Sequence, residues 1–431
     1  MQTHFTKTQL ESTIIAEADS ILRRCVHCGF CTATCPTYIL LGDELDSPRG
    51  RIFMIRDMLE SDAPPAPDVI KHMDRCLTCL SCTTTCPSGV DYMHLIDITR
   101  GVIEEKATRP VSERWFRSLL AVLIPSPRLF RLALTGAWLA RPLKGLMPGR
   151  LKSMISLAPK SIKPSSPMDR PQVFPAAGER RMRVALMTGC AQKVLRPSIN
   201  EATIRLLTRH GCEVVIAKDA GCCGALEHHM GKLEGSHNAA KRNIAAWEAA
   251  EKSGGTIDAV IINASGCGTT LKDYGHMLKN DPAWAERAAM IAERSKDITE
   301  IIAKLGLNPV EQSPPQELRV AYHSACSMQH GQKITLLPKT LLEEAGFTVS
   351  SPAEGHLCCG SAGTYNLTQP ELADQLGERK AKNLKNTGAD IVSTGNIGCL
   401  MQIGNHGSMP VVHTAELLDW VTGGPKPDGL S

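Results

Sequence analysis

Aromatic residues make up only 4% of this 431-residue chain, and its formal net charge is only +4. Single-strand nucleic-acid readers stack bases on aromatic side chains along a basic groove, so a function in nucleic-acid binding is excluded. Apolar runs are short as well. None reaches the ~20 residues that a membrane-spanning helix requires. Met1 to Thr13 is polar, without an apolar signal region or a small-residue cleavage site, which points to a cytoplasmic and reducing location. A phosphate-binding loop is also missing. Gly266-Cys-Gly268-Thr-Thr-Leu271 falls short of G-x-G-x-x-G, so no flavin or dinucleotide site is expected and hydride chemistry must occur elsewhere.

What the chain has in quantity is cysteine, seventeen in all. Eight of them form two runs of one pattern, Cys25-x2-Cys28-x2-Cys31-x3-Cys35-Pro36 and Cys76-x2-Cys79-x2-Cys82-x3-Cys86-Pro87. This is the ligand spacing of two cubane [4Fe-4S] clusters. Three closely spaced thiolates hold three iron corners and a distant one holds the fourth. In two-cluster ferredoxins the fourth cysteine of each run serves the other cluster, which assigns Cys25, Cys28, Cys31 and Cys86 to one site and Cys76, Cys79, Cys82 and Cys35 to the second. The prolines lock φ and end each ligand loop. Zinc sites use separated C-x2-C pairs rather than four crowded cysteines repeated twice, and an odd cysteine count argues against a fully paired disulfide framework.

The chain divides into four parts. Residues 1–108 read as a mostly helical two-cluster domain: Thr8-x-x-Glu11 as a capping box, then Ile14, Ile15, Ile21 and Leu22 on one apolar face. Ser47-Pro48 starts a helix with Ile52, Ile55 and Leu59 on one stripe, and Tyr92, Leu95, Ile96, Thr99, Val102 and Ile103 repeat the pattern. Arg49 and Arg51 are candidates for stabilising anionic clusters, against the plainer reading of surface salt bridges. Residues 109–180 form a basic segment with twelve Lys or Arg against two acidic residues between Arg109 and Arg170. Its apolar stretches Leu119 to Ile124 and Leu129 to Ala140 read as helices, and Pro159 to Pro175 as linker. Such a segment suits peripheral contact with anionic lipid or an acidic partner, or simple packing on the first domain.

Residues 181–310 and 311–431 are two copies of one unit. Arg183-Val-Ala leads to Cys190 as Arg319-Val-Ala leads to Cys326, and Cys222-Cys223-Gly224 answers Cys358-Cys359-Gly360. Leu206, Leu207 and Gly211 match Leu341, Leu342 and Gly346, and each copy closes with Gly-Cys at Cys267 and Cys399. Apolar runs Val184 to Met187, Val214 to Ala217 and Ala259 to Ile262 alternate with helical patterns, so each copy is α/β with parallel strands. The fold class is therefore multidomain: a helical ferredoxin-type domain followed by two tandem α/β repeats. Cys190, Cys222, Cys223, Cys267, Cys326, Cys358, Cys359 and Cys399 are candidate ligands of a further iron-sulfur cluster, with buried small residues as the alternative. His228, His229, His323 and His330 lie near them and stay unassigned.

The segments Cys25-Val-His-Cys-Gly-Phe-Cys-Thr-Ala-Thr-Cys-Pro-Thr-Tyr38, Leu41-Gly-Asp-Glu-Leu-Asp46, Pro48-Arg-Gly-Arg51 and His356-Leu-Cys-Cys-Gly-Ser-Ala-Gly-Thr-Tyr365 closely resemble the iron-sulfur subunits of bacterial glycolate oxidases. The resemblance covers nearly the whole chain. It implies an oxidoreductase complex in which flavoprotein subunits carrying FAD oxidise glycolate to glyoxylate, and this chain, with no catalytic residue of its own, passes electrons toward the quinone pool at the cytoplasmic membrane. Lactate and glycerol-3-phosphate dehydrogenase complexes are the alternative settings. The related heterodisulfide reductase subunit ends each repeat in C-x2-C and binds its cluster with five cysteines. Here those positions are Thr270 and Gln402, so disulfide-reducing catalysis is in doubt and a four-thiolate cluster is favoured.

Overall fold

A computed structural model of the chain describes residues 1–147, 149–159, 161–310 and 318–430. The amino-terminal body is helical. Its first capping box forms between Thr6 and Gln9 rather than Thr8 and Glu11, because the short helix Lys7–Leu10 starts two residues earlier than its sequence suggests. The next helix, Thr13–Arg23, buries Ala18, Ile21 and Leu22, whereas Ile14 is 46% exposed at its free end. Ser47 caps Pro48–Ser61 by accepting from Gly50 N at 3.0 Å, and the stripe Ile52, Ile55 and Leu59 is buried. Tyr92–Lys106 buries Tyr92, Leu95, Ile96, Thr99 and Ile103 against that stripe.

The basic segment forms the helices Val111–Leu123 and Pro127–Leu139, bent by 117° at their junction. Among the described residues no single helix is long and apolar enough to cross a membrane. Several of its arginines are committed internally. Arg109 pairs with Asp74, Arg117 donates to Met230 O at 2.8 Å, Arg131 donates to Lys163 O, and Arg141 donates to Ala158 O at 2.6 Å. The tract expected as linker ends in structure, because Gln172–Phe174 (β1) adds to the first sheet.

That sheet continues with Met182–Met187 (β2), Cys212–Ile216 (β3), Ala259–Ile262 (β4) and Ser295–Asp297 (β5), in the order β1-β3-β2-β4-β5. All pairs are parallel except β1 with β3. The second sheet has Arg319–Tyr322 (β6), Thr348–Ser350 (β7), Ile391–Thr394 (β8) and Val411–His413 (β9), ordered β7-β6-β8-β9 and wholly parallel. Removing β1 leaves two sheets of identical topology, the duplication seen in the chain. β5 and β9 are only three residues long, too short for a periodic signal. The duplicated leucines Leu206, Leu207, Leu341 and Leu342 meet in one apolar core with Ile301, Ile302, Leu417 and Leu418, so the two copies share an interior. The start of the second copy, at 311, lies outside the described residues.

Candidate iron-sulfur sites

The two ferredoxin-type loops have the same backbone. His27 and Gly29 in the first, and Thr78 and Leu80 in the second, all take positive φ, at 54°, 85°, 51° and 61°. A non-glycine residue in that region costs about 1 kcal/mol or more. Alternating left-handed residues turn successive N–H groups to one side and form a concavity suited to anions. Cys25, Cys28, Cys31 and Cys86 line one cavity, with Cys82 and Tyr92 on its inner wall. Burial pushes the Cys31 thiol up to about 11, with Cys25 and Cys35 adding to the effect. Cys28 is exposed, and Val26 and Phe30 beside it are 66% and 65% exposed.

The second group lies deeper. Burial raises Cys79 and Cys82 well above the ordinary thiol range, and each also feels Cys35. Arg51 stands beside this group as a core residue, only 1% exposed, which corrects its surface reading. Its Nη1 is 3.8 Å from Cys35 Sγ, its Nη2 donates to Asp46 Oδ1 at 3.1 Å, and its Nε donates to His72 O at 2.8 Å. Tyr92 Oη donates toward Cys76 Sγ at 3.8 Å. Arg49 instead pairs with Glu44 near the surface. Arg100, itself buried, holds the second loop by donating to Cys76 O at 2.6 Å.

In each repeat the four cysteines come together past the carboxyl ends of the strands, where α/β folds carry their sites. Cys190, Cys222, Cys223 and Cys267 form a continuous chain of sulfur contacts. In the second repeat Cys326 Sγ and Cys358 Sγ are 3.7 Å apart, and Cys359 Sγ and Cys399 Sγ are 3.3 Å apart. The glycine after each pair has a defined task. Gly224 and Gly360 both have φ of +90°, and a Cβ would lie 2.9 Å from Ser236 O in one and 2.5 Å from Ala373 O in the other. That tight turn sends the glycine N–H back to the first sulfur, at 3.4 Å from Cys222 and 3.5 Å from Cys358. Gly268, part of the incomplete phosphate loop, faces the Gln332 side chain across the contact between repeats, so its small size serves packing. Cys212 is buried in β3 apart from these groups.

None of the seventeen cysteines is in a disulfide. Four groups of four sulfurs, with amide or guanidinium donors on several of them, fit iron-sulfur clusters. Buried thiols that resist ionisation alone give up their protons when a metal supplies the compensating charge. The sequence could not say which repeat brings its cysteines against those of the ferredoxin-type domain. The fold decides it: Leu77 and Cys79 share an apolar cluster with Cys358 and Tyr365, with Cys326 packed against it. Thr84 Oγ1 and His330 Nδ1 lie 2.7 Å apart at the same seam, and Tyr365 Oη donates to Arg75 O at 3.1 Å. The first repeat docks through charge instead. His228 lies 3.1 Å from Asp97, and His94 bridges Asp91 and Asp273 at 2.6 and 2.9 Å. Burial keeps His229 neutral, pushed down to about 4.

Comparison with known proteins agrees with this layout. Residues 21–90 match a family described as 4Fe-4S dicluster domain, and residues 184–272 and 320–404 each match one described as cysteine-rich domain. The chain is 41% identical over 420 residues to the glycolate oxidase iron-sulfur subunit of Escherichia coli, covering 97% of this chain and 98% of that one. It is 34% identical to the probable glycolate oxidase iron-sulfur subunit of Bacillus subtilis, covering 92% and 93%. Lactate utilization protein A of Bacillus licheniformis is 29% identical over 245 residues, 55% of this chain and 99% of that protein. A crystal structure of a hypothetical protein from Helicobacter pylori shares the fold at a TM-score of 0.55 and 9% identity, covering 98% of this chain and 74% of that one.

Proposed function

Because the chain belongs to the family of glycolate oxidase iron-sulfur subunits, we propose that it is the electron-transfer subunit of a complex whose flavoprotein partner oxidises glycolate to glyoxylate. It is an iron-sulfur subunit of an oxidoreductase complex that acts on a hydroxy acid. Bound [4Fe-4S] clusters supply one-electron redox chemistry. The chain's own part is to hold them in order, exclude water and set their electrostatic surroundings. Cys25, Cys28, Cys31 and Cys86 hold the first cluster, and Cys35, Cys76, Cys79 and Cys82 the second. The exposed Cys28, flanked by Val26 and Phe30, supports entry of electrons from FAD on the partner at that face.

The observation that carries the relay is the burial of Cys79 against Cys358. It supports a path from the second ferredoxin-type site into the second repeat, with Cys326, Cys358, Cys359 and Cys399 holding a further cluster there. The corresponding set in the first repeat is Cys190, Cys222, Cys223 and Cys267. Onward delivery to the quinone pool requires contact with the membrane. Support for peripheral contact comes from Trp115, Leu132, Leu139 and Leu146, which stand 66–84% exposed on the basic helical segment. Glycolate is preferred to lactate because the match to glycolate oxidase subunits spans nearly the whole chain, while the match to lactate utilization protein A spans 55%. The test is purification of the complete complex followed by dye reduction with glycolate, lactate and glycerol 3-phosphate. Glycolate should give the highest kcat/KM, and no glycolate-dependent reduction would overturn the assignment.

A further inference from the structure

The two repeats are not equivalent at their sulfur sites. Cys190 and Cys326 occupy matching positions, and counting back three residues from each places Met187 in the first repeat and His323 in the second. His323 follows β6 directly and its backbone N donates to Ser393 O at 2.8 Å, which fixes it at the strand end facing the cysteines. Its side chain is 1% exposed. A ring nitrogen, Cys359 Sγ and Cys399 Sγ all lie within 4.8 Å of one another.

Both ring nitrogens of His323 lack a hydrogen-bond partner. Other buried histidines with an unpartnered nitrogen, such as His210, His228 and His413, have only one such atom. Each unsatisfied buried polar atom costs about 1–3 kcal/mol. A histidine kept for packing alone would be better replaced by an apolar side chain, which is what Met187 is in the first repeat. Gln402 stands where a five-cysteine repeat has its last sulfur, and it cannot substitute as a donor. Its amide oxygen already accepts from Asn366 and its amide nitrogen already donates to Ala373 O. His323 comes off the end of a strand rather than from the helix, with no hydrogen-bond partner on its ring.

We propose that His323 supplies a nitrogen ligand to the iron centre of the second repeat, alongside the thiolates of Cys326, Cys358, Cys359 and Cys399, and that the first repeat has no such ligand. The inference rests on the reading that the second repeat holds iron. It makes the two repeat centres chemically distinct, one all-sulfur and one of mixed sulfur and nitrogen.

The test uses the full chain prepared anaerobically with 15N-labelled histidine, in oxidised and dithionite-reduced states. Pulsed electron paramagnetic resonance should show a 15N coupling of metal-bound imidazole in the wild type. It should be absent in His323→Met, which installs the first repeat's residue, while the two ferredoxin-type signals persist unchanged. No histidine coupling in a wild-type protein that carries well over the about eight irons of two cubanes would overturn the ligand while leaving the repeat cluster standing. Coupling that survives in His323→Met would also overturn it. An iron content of only about eight, unchanged in Cys399→Ser, would instead remove the repeat cluster and the ligand with it.

Discussion

Arg51→Gln should lower the reduction potential of the second ferredoxin-type cluster and leave the first nearly untouched. The guanidinium is held charged in a fully buried position, 3.8 Å from Cys35 Sγ, and Asp46, which accepts from its Nη2 at 3.1 Å, is itself 0% exposed. At an effective dielectric of about 20, a unit charge at that distance is worth about 4 kcal/mol to a negative charge on the sulfur. An electron added on reduction is spread over the cluster, and Asp46 cancels part of the field. Taking a third to a half of that figure leaves about 1.5–2 kcal/mol, or about 60–90 mV for a one-electron couple. Losing the buried pair also costs stability, about 3–5 kcal/mol, so Arg51→Lys serves as the control that keeps the charge. The assay is a potentiometric titration of the complex followed by electron paramagnetic resonance, reading both clusters in one sample. An unshifted second cluster in a protein of full iron content, or an equal shift in both, would refute the reasoning.

His94 is held protonated to about 10, since its hydrogen bonds to Asp273 and Asp91 outweigh the burial that opposes its charge. Its folded pKa is above the unfolded value of about 6.5, so its contribution is complete below about 6.5 and disappears as pH rises through about 10. The melting-temperature gap between wild type and His94→Gln should shrink from pH 7 to pH 10, and a constant gap would contradict this. Leu207→Ala and Leu342→Ala, one in each repeat and both 0% exposed in the shared core, should each cost about 2–5 kcal/mol. Because that core is common, both should lower the same calorimetric transition; two transitions, each answering to one substitution, would separate the repeats. Leu132→Gln with Leu139→Gln should release the complex from anionic vesicles in flotation. Arg131 and Arg141 are poorer targets since they donate to backbone carbonyls, and unchanged flotation would assign the apolar face to a protein partner.

The sequence alone supplied the candidate ligands. Cysteine spacing within a run is local, so three candidate ligands of each ferredoxin-type group could be read from one stretch of chain, whereas the fourth, Cys86 or Cys35, comes from the other run. The duplication was equally legible, since a repeat is a relation between two stretches of one chain, and β2, β3 and β4 fell on the apolar runs that announced them. What involves distant residues was not legible. No pattern in residues 49–51 distinguishes a surface arginine from one buried against Cys35, because that depends on a helix folding back across the second loop. No pattern selects the second repeat as the neighbour of Cys79, or tells His323 from three other histidines near cysteines. Those outcomes follow from packing, which fixes which donors have partners and which are left facing sulfur. Motif spacing supplied the donors, and tertiary structure decided their order and their neighbours.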